Sequence, residues 1–409
     1  MKIFKNISAR NAALIGGLCA VSYLTVYMGR NMLSAVTPQM IEVDGYTTEY
    51  IGTVSSLFFT FYAIGQLING MIGDKVKARY MMGCGLVFAG ICNSVFPYIV
   101  DQPLTSRIVY GVSGFFLSMI YAPMVKLVAE NTKPVYTIRC SMAYDFAAHF
   151  GTPVAGAVAA LFAWKSAFKV SSTALIFMGM MCLILFGVME KYELIQWNQY
   201  KQKKEKEATA GIKMLIERRI VKFTLIAIVT GVVRTSVMFW LPTYIAQYLG
   251  FSAQKSATIF TAASFVISMA TFVAIFVYER LHRNMDLTIL IAFSSATVCF
   301  LLVYLVNLPA LNIIFLVIAI LSSNGASSMM WSRYCPSLRD TGMVSSATGF
   351  LDFVSYMSAA ASSAIFANAV SVIGWRGLIV VWFGLMVLGV VISIHGIKLR
   401  RGGTLWDEN

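Results

Sequence analysis

Charge is scarce in this 409-residue chain: 12% of residues are charged and 58% are hydrophobic. A chain of this length cannot bury so much apolar surface in water, so its solvent is a bilayer. No Gly-rich nucleotide loop, G-K-[ST] motif, catalytic triad or metal-ligating cluster is present, which argues against an ATP-driven pump or a membrane enzyme and implies no cofactor. The seven cysteines (Cys19, Cys84, Cys92, Cys140, Cys182, Cys299, Cys335) lie scattered without C-x-x-C spacing. They read as small apolar residues, neither disulfides nor metal ligands.

Long apolar runs are what the chain does have. About 20 residues cross a hydrocarbon core of ~30 Å, and such runs fall near residues 12–40, 50–72, 80–99, 104–128, 138–162 and 167–189. Six more fall near 220–248, 254–278, 286–307, 310–332, 343–370 and 375–397. The first is too long, and too charged at Arg30, for a cleaved signal peptide, so it stays as helix one. The expected fold is all-α, with twelve transmembrane helices in two six-helix bundles. The polar stretch between Glu190 and Lys222 divides them, giving an N-terminal bundle over 1–190, a linker over 191–219 and a C-terminal bundle over 220–409.

Translocated loops avoid Lys and Arg. With the N-terminus inside, 25 of the 32 Lys and Arg residues fall on the cytoplasmic side, and five (Arg107, Lys165, Lys169, Lys255, Arg376) fall outside. Both termini are therefore expected in the cytoplasm, in a multi-pass protein of the plasma (inner) membrane, as a monomer. The net charge of +14 is mostly topology and gives no support to nucleic-acid binding.

The two bases left over, Arg30 and Arg234, sit inside apolar helices, where a guanidinium needs a polar cavity and a partner. Pro38 follows Arg30 by eight residues, and Pro242 follows Arg234 by the same eight. Asp74 lies 44 residues past Arg30 and Glu279 lies 45 past Arg234, each acid followed by a base, Lys75 and Arg280. One half is thus a diverged copy of the other, an internal repeat of roughly two hundred residues.

Two six-helix bundles related by a repeat, with GMIGDKVKAR from Gly70 to Arg79 between helices two and three, resemble the major facilitator superfamily. Gly70, Asp74, Lys75 and Arg79 match the superfamily's loop pattern, while Lys77 stands where glycine is common. The resemblance implies a gating or helix-end role for Asp74 and Glu279.

A narrower resemblance lies in YLTVYMGRN, Tyr23 to Asn31, which is similar to helix one of the organophosphate:phosphate antiporters. Residues 23, 27, 30 and 34 share one helical stripe. Helix seven repeats the resemblance with RTSVMFWLPTY, Arg234 to Tyr244, and helix five with Ala148-His149-Phe150-Gly151. The family's roles imply that Arg30 and Arg234 clamp phosphate, that His149 assists, and that Tyr23 and Tyr27 line the cavity. Guanidinium forks meet phosphate oxygens bidentately, which suits that assignment. One arginine per half would make the substrate a bridge that neutralises two like charges. Tyr62, Gln66, Trp240, Asn324 and Tyr356 join them as candidate substrate contacts, with Asn69 and Ser328 as further polar candidates.

Departures from the family concern the organic moiety. Gly231 stands where glycerol-phosphate members place a tyrosine, Gln66 where members keep a lysine, and Asp145-Phe146 where they have a Trp-Asn pair. A different or larger substrate than glycerol phosphate is expected. Asp145 and Asp352 are intramembrane acids with two roles open to them, gate charge pairs or proton carriers. Asp145 follows Arg139 by six residues, about 9 Å of helix rise, which places it nearer the cytoplasmic end and favours the gate.

The expected function is exchange of organic phosphates, above all sugar phosphates, for inorganic phosphate. Three alternatives stay open: a proton-coupled symporter of an organic anion or zwitterion, a transporter-like sugar-phosphate sensor, and a carrier of organic carboxylates.

Overall fold

The computed structural model describes residues 7–72, 76–196, 216–338 and 344–400. Asp74 lies outside these, as do residues 197–215 of the expected linker, and the side chain of Asp145 lies outside the description as well.

The described elements are helical throughout. In chain order they are α1 (Ile7–Asp44), α2 (Thr48–Ile72), α3 (Ala78–Ile99), α4 (Pro103–Leu117), α5 (Tyr121–Asn131), α6 (Pro134–Leu161) and α7 (Trp164–Lys191). After the linker come α8 (Ile220–Gly231), a π-helical segment (Val232–Val237), α9 (Met238–Gln247), α10 (Ala253–Ile267), α11 (Ala270–Arg280), α12 (Met285–Leu305) and α13 (Pro309–Met329). A second π segment (Met330–Tyr334), the short α14 (Cys335–Ser337) and α15 (Val344–Arg400) complete the chain. Proline opens α4, α6 and α13, where its missing N–H has no helical partner to lose. The Asn284 side chain caps α12, accepting the Leu287 N–H at 3.1 Å.

Among the described residues, ten helical stretches are long and apolar enough to cross a membrane. Two features relate these to the twelve expected runs. The run at 138–162 is helical as α6 but falls outside that set. The runs at 343–370 and 375–397 form one 57-residue helix, α15, broken at Gly374. Its φ of 67° and ψ of 178° are open to glycine alone, so the backbone bends there.

The helices form two compact units. The first comprises Met1–Glu205 with Leu241–Phe265, and the second Lys206–Trp240 with Val266–Asn409. In the first, α1 packs chiefly on α6, α3 on α7 and α2 on α4. In the second, α12 packs on α13 and α15, and α8 on α15.

The hairpin of α9 and α10, which the expected boundaries put in the C-terminal bundle, joins the first unit through specific contacts. The Glu42 carboxylate accepts the Ala253 N–H at 3.0 Å, supplying a partner to the α10 N-terminus. A Cβ on Gly156 would lie 2.5 Å from the Thr261 hydroxyl, so only glycine lets α6 approach α10 this closely. The Phe150 and Phe265 rings meet edge to face at 5.4 Å.

All seven cysteines are free, and five of them are buried. Cys140 and Cys182 act as small packing residues with weak hydrogen bonds, Cys140 to the Ala12 carbonyl at 3.3 Å and Cys182 with the Ser22 hydroxyl at 3.1 Å.

Candidate functional site

In the first unit the site grows from α1. Arg30 is only 8% exposed. Its guanidinium carbon lies 5.2 Å from the Tyr27 ring centre, 5.7 Å from Phe59 and 5.2 Å from Tyr62, so three rings take up the space around the charge. Tyr27 meets Tyr23 edge on at 5.1 Å. Tyr23 in turn stacks on Tyr121 at 5.5 Å and takes the edge of Tyr144 at 6.2 Å. The stripe expected on α1 is therefore one wall of an aromatic cluster drawn from α1, α2, α5 and α6.

Two devices hold this wall. A Cβ on Gly151 would fall 2.5 Å from the Leu24 carbonyl and 2.5 Å from Tyr27 Cβ, so the glycine after His149 lets α6 lie directly against the Tyr27 turn. The Asn31 amide ties the same helices, donating to the Tyr27 carbonyl at 2.7 Å and to the Thr152 hydroxyl at 3.0 Å. His149, two residues before Gly151, is exposed. Gln66 is half-buried on α2, one turn past Tyr62.

In the second unit Arg234 lies inside the π segment, half-buried, with its guanidinium carbon 5.6 Å from the Tyr356 ring. A π turn inserts a residue into the helical register and re-aims the side chains that follow; such turns cluster at functional sites. The pairing with α15 is tight on both sides of the arginine. A Cβ on Gly231 would sit 2.5 Å from the Ser355 carbonyl, and the Ser236 hydroxyl bonds the Ala359 carbonyl at 2.9 Å and Ser362 at 2.6 Å. These contacts fix Tyr356, itself 4% exposed, over Arg234. The glycine that replaces the family's tyrosine thus has a packing cause: no side chain fits there.

Several expected contacts have other partners. Asn69 spends its amide on the Ser118 hydroxyl at 2.7 Å and the Phe115 carbonyl at 3.4 Å, within helix packing. Ser328 bonds the Asn324 carbonyl at 2.9 Å and Thr271 at 3.0 Å. Trp240 is completely buried, and its Nε1 has no hydrogen-bond partner among the described residues. The Asn324 side-chain oxygen is likewise buried without one.

Glu279 is exposed and forms no ion pair among the described residues. Asp352 is half-buried, one turn before Tyr356 on α15. It lies close enough to Cys335 to act on it: burial pushes that thiol up, a Thr348 hydrogen bond opposes the shift, and the Asp352 charge adds to it. Two carboxylates that sequence reasoning did not single out form ion pairs among the described residues. Glu190, at the end of α7, meets Lys77 and, at 2.9 Å, Arg79. Asp286, at the start of α12, meets Arg219 at 3.2 Å and Lys222 at 3.0 Å, with its side chain 2% exposed.

Burial separates these clusters. Removing one partner of a buried pair costs about 3–5 kcal/mol, whereas exposed pairs are worth about 0–1 kcal/mol. Asp286→Asn is expected to lower the unfolding temperature in detergent far more than Glu190→Gln, because Glu190 and Lys77 remain 25% and 43% exposed. Equal shifts in a thermal-stability assay would contradict this ranking.

Sequence reasoning also missed Phe59, Tyr121 and Tyr144. Phe59 precedes Tyr62 by one helical turn, a spacing that could have been read. Tyr121 gave no such signal, because its placement depends on the interruption at residues 118–120 between α4 and α5.

Among the described residues the chain is a set of apolar helices, with an arginine beside at least one aromatic ring in each of the two units; with the family match and the relatives below, this is a multi-pass membrane transport protein. The chain belongs to the Major Facilitator Superfamily, which residues 19–363 match. It is 21% identical over 396 residues to a glycerol-3-phosphate transporter of Bacillus subtilis, covering 91% of this chain and 89% of that one. A shorter match, 26% identical over 96 residues, joins it to the membrane sensor protein UhpC of Salmonella typhimurium and spans 24% of this chain and 22% of the sensor. In fold it is similar to a bacterial homologue of the human lysosomal transporter Spinster, solved inward-facing and unoccupied. The TM-score is 0.74 at 10% identity, over 94% of this chain and 96% of that one.

Proposed function

We propose that this protein is a secondary carrier that exchanges organic phosphates, sugar phosphates in particular, for inorganic phosphate by alternating access. The observation that carries the proposal is Arg30, a guanidinium 8% exposed among Tyr27, Phe59 and Tyr62 in the middle of a membrane helix. Burying an arginine at that depth is costly and marks a substrate pathway. A phosphate dianion matches the guanidinium fork in charge and geometry. Arg234 repeats the feature in the second unit, and the relationship to a glycerol-3-phosphate transporter supports the substrate class. Tyr23, Tyr27, Tyr62, Gln66, His149, Asn324 and Tyr356 are assigned to the same binding function, with Trp240 supporting it from within the packing.

The distribution of bases supports cytoplasmic termini, and the carrier is assigned to the plasma membrane as a monomer. The Glu190 and Asp286 clusters then lie at the cytoplasmic ends of their helices. Asp74, Asp145, Asp352 and Glu279 are assigned to gating.

Counterflow into phosphate-loaded proteoliposomes tests the proposal. Labelled sugar phosphate is expected to enter vesicles loaded with inorganic phosphate and not vesicles loaded with phosphate-free buffer alone. Uptake restricted to non-phosphorylated compounds would refute it. Asp352 favours one competing reading, proton symport, because it is an intramembrane acid one turn from the ring that covers Arg234. Under symport, uptake would follow an imposed pH gradient and ignore trapped phosphate. A sensor would bind substrate without exchanging it.

A further inference from the structure

We infer that Tyr121 selects the organic half of the substrate, by offering a stacking face to a phosphorylated sugar ring that a short phosphorylated chain does not reach. The inference rests on the phosphate reading of Arg30. From the guanidinium a row of rings leads away: Tyr27 at 5.2 Å, Tyr23 a further 5.1 Å on, and Tyr121 5.5 Å beyond that. Tyr23 is 7% exposed, shut in by Tyr27, Tyr121 and Tyr144. Tyr121 stacks on Tyr23 at an interplanar angle of 28° and stays 38% exposed, so it is the end of the row that a ligand can cover.

The position of Tyr121 is built into the packing. It follows the helix interruption at residues 118–120, where the Ser118 hydroxyl accepts from the Asn69 amide at 2.7 Å and itself bonds the Phe115 carbonyl at 2.7 Å. A Cβ on Gly65 would lie 2.2 Å from the same hydroxyl, so α2 is pressed against the interruption. Tyr121 is thereby fixed at the first turn of α5.

Reach decides what the row can recognise. Tyr23 precedes Arg30 by seven residues, about 10 Å of helix rise. A phosphorylated three-carbon chain, with bonds of about 1.5 Å, extends roughly 6 Å from its phosphate. It ends beside the first rings, whereas a hexose carrying its phosphate on the exocyclic carbon brings its ring further along the row. The C–H face of a pyranose gains dispersion contact over an aromatic face. The row offers phenol rings and hydroxyls and no basic side chain, which suits a polyol better than a second anionic centre.

Half-saturating concentrations of external inorganic phosphate, glycerol 3-phosphate and glucose 6-phosphate, measured by exchange into phosphate-loaded proteoliposomes, test the inference. The wild type is expected to take glucose 6-phosphate at a concentration at least ten-fold lower than glycerol 3-phosphate. Tyr121→Ala should raise the ratio of the glucose 6-phosphate value to the inorganic phosphate value ten-fold or more, and Tyr121→Phe should keep the wild-type ratio. Tyr121→Leu, which preserves apolar volume without the flat face, should behave as Tyr121→Ala and guards against a packing defect. Proportionate changes for all three ligands in Tyr121→Ala and Tyr121→Leu would overturn the stacking role, as would loss of selectivity in Tyr121→Phe. Wild-type vesicles that exchange no inorganic phosphate would overturn the phosphate reading itself, and the role of Tyr121 with it.

Discussion

Arg30→Lys is expected to cut phosphate exchange on the order of a hundred-fold, and Arg234→Lys to do so by a similar factor, although both variants keep the positive charge. Lysine presents a point charge on a flexible stem and cannot form the two parallel bonds of a guanidinium fork. A hydrogen bond to a charged group contributes about 1.5–3 kcal/mol, and each 1.4 kcal/mol is a factor of about ten. Losing one arm of a fork therefore accounts for about ten- to a hundred-fold, and imperfect placement of the ammonium adds to it. The two variants should differ in a second respect. Arg30 is packed among three rings and 8% exposed, whereas Arg234 is half-buried against Tyr356. Arg30→Lys should consequently lower thermal stability as well as exchange, and Arg234→Lys chiefly exchange. Phosphate counterflow, normalised to protein recovered as a monodisperse peak, measures the first effect and detergent melting the second. Near-normal exchange in either variant would refute the bidentate clamp.

Gly231→Tyr, which places on this chain the residue that glycerol-phosphate members carry, should destabilise the fold and confer no selectivity for glycerol phosphate. The first side-chain carbon would already lie 2.5 Å from the Ser355 carbonyl and 2.6 Å from its hydroxyl. The obstacle is backbone of α15, which cannot swing away as a side-chain tip would. Further along the same pair of helices, Ser236 bonds the Ala359 carbonyl and Ser362, so the helices cannot slide to make room. Overpacking a well-packed interior costs about 1–3 kcal/mol, and more where backbone must move. At about 2–4 °C per kcal/mol for a unit of about 200 residues, the upper end of that cost is a fall of about 10 °C in unfolding temperature. Gly231→Ala should show the same direction with a smaller shift. A stable Gly231→Tyr protein with wild-type melting would mean that α8 and α15 are not held together as described.

The same glycine shows how far sequence comparison carries. Its departure from the family pattern is legible in the sequence, where it points to a different or larger substrate than glycerol phosphate. The structure adds that the position is a helix contact, and that rings the sequence did not single out, Phe59 on α2, Tyr121 on α5 and Tyr144 on α6, join the aromatic cluster. Spacing after Arg30 and Arg234 draws attention to Asp74 and Glu279; among the described residues, Glu190 and Asp286 also form ion pairs, with partners 111 to 113 and 64 to 67 residues away along the chain. No periodicity on one helix announces a partner on another.

Crossing a bilayer is a constraint along one dimension, met segment by segment, so the apolar spans and the stripe of Tyr23 and Tyr27 on α1 could be read in order along the chain. The company each arginine keeps is a property of helix rotation and crossing, which depends on close approaches such as Gly151 on Tyr27 and Gly231 on Ser355. Those approaches are settled by the three-dimensional packing of helices remote in sequence. Packing thus encloses Arg30 in three rings, sets Arg234 beside one, and carries the hairpin of α9 and α10 into the first unit.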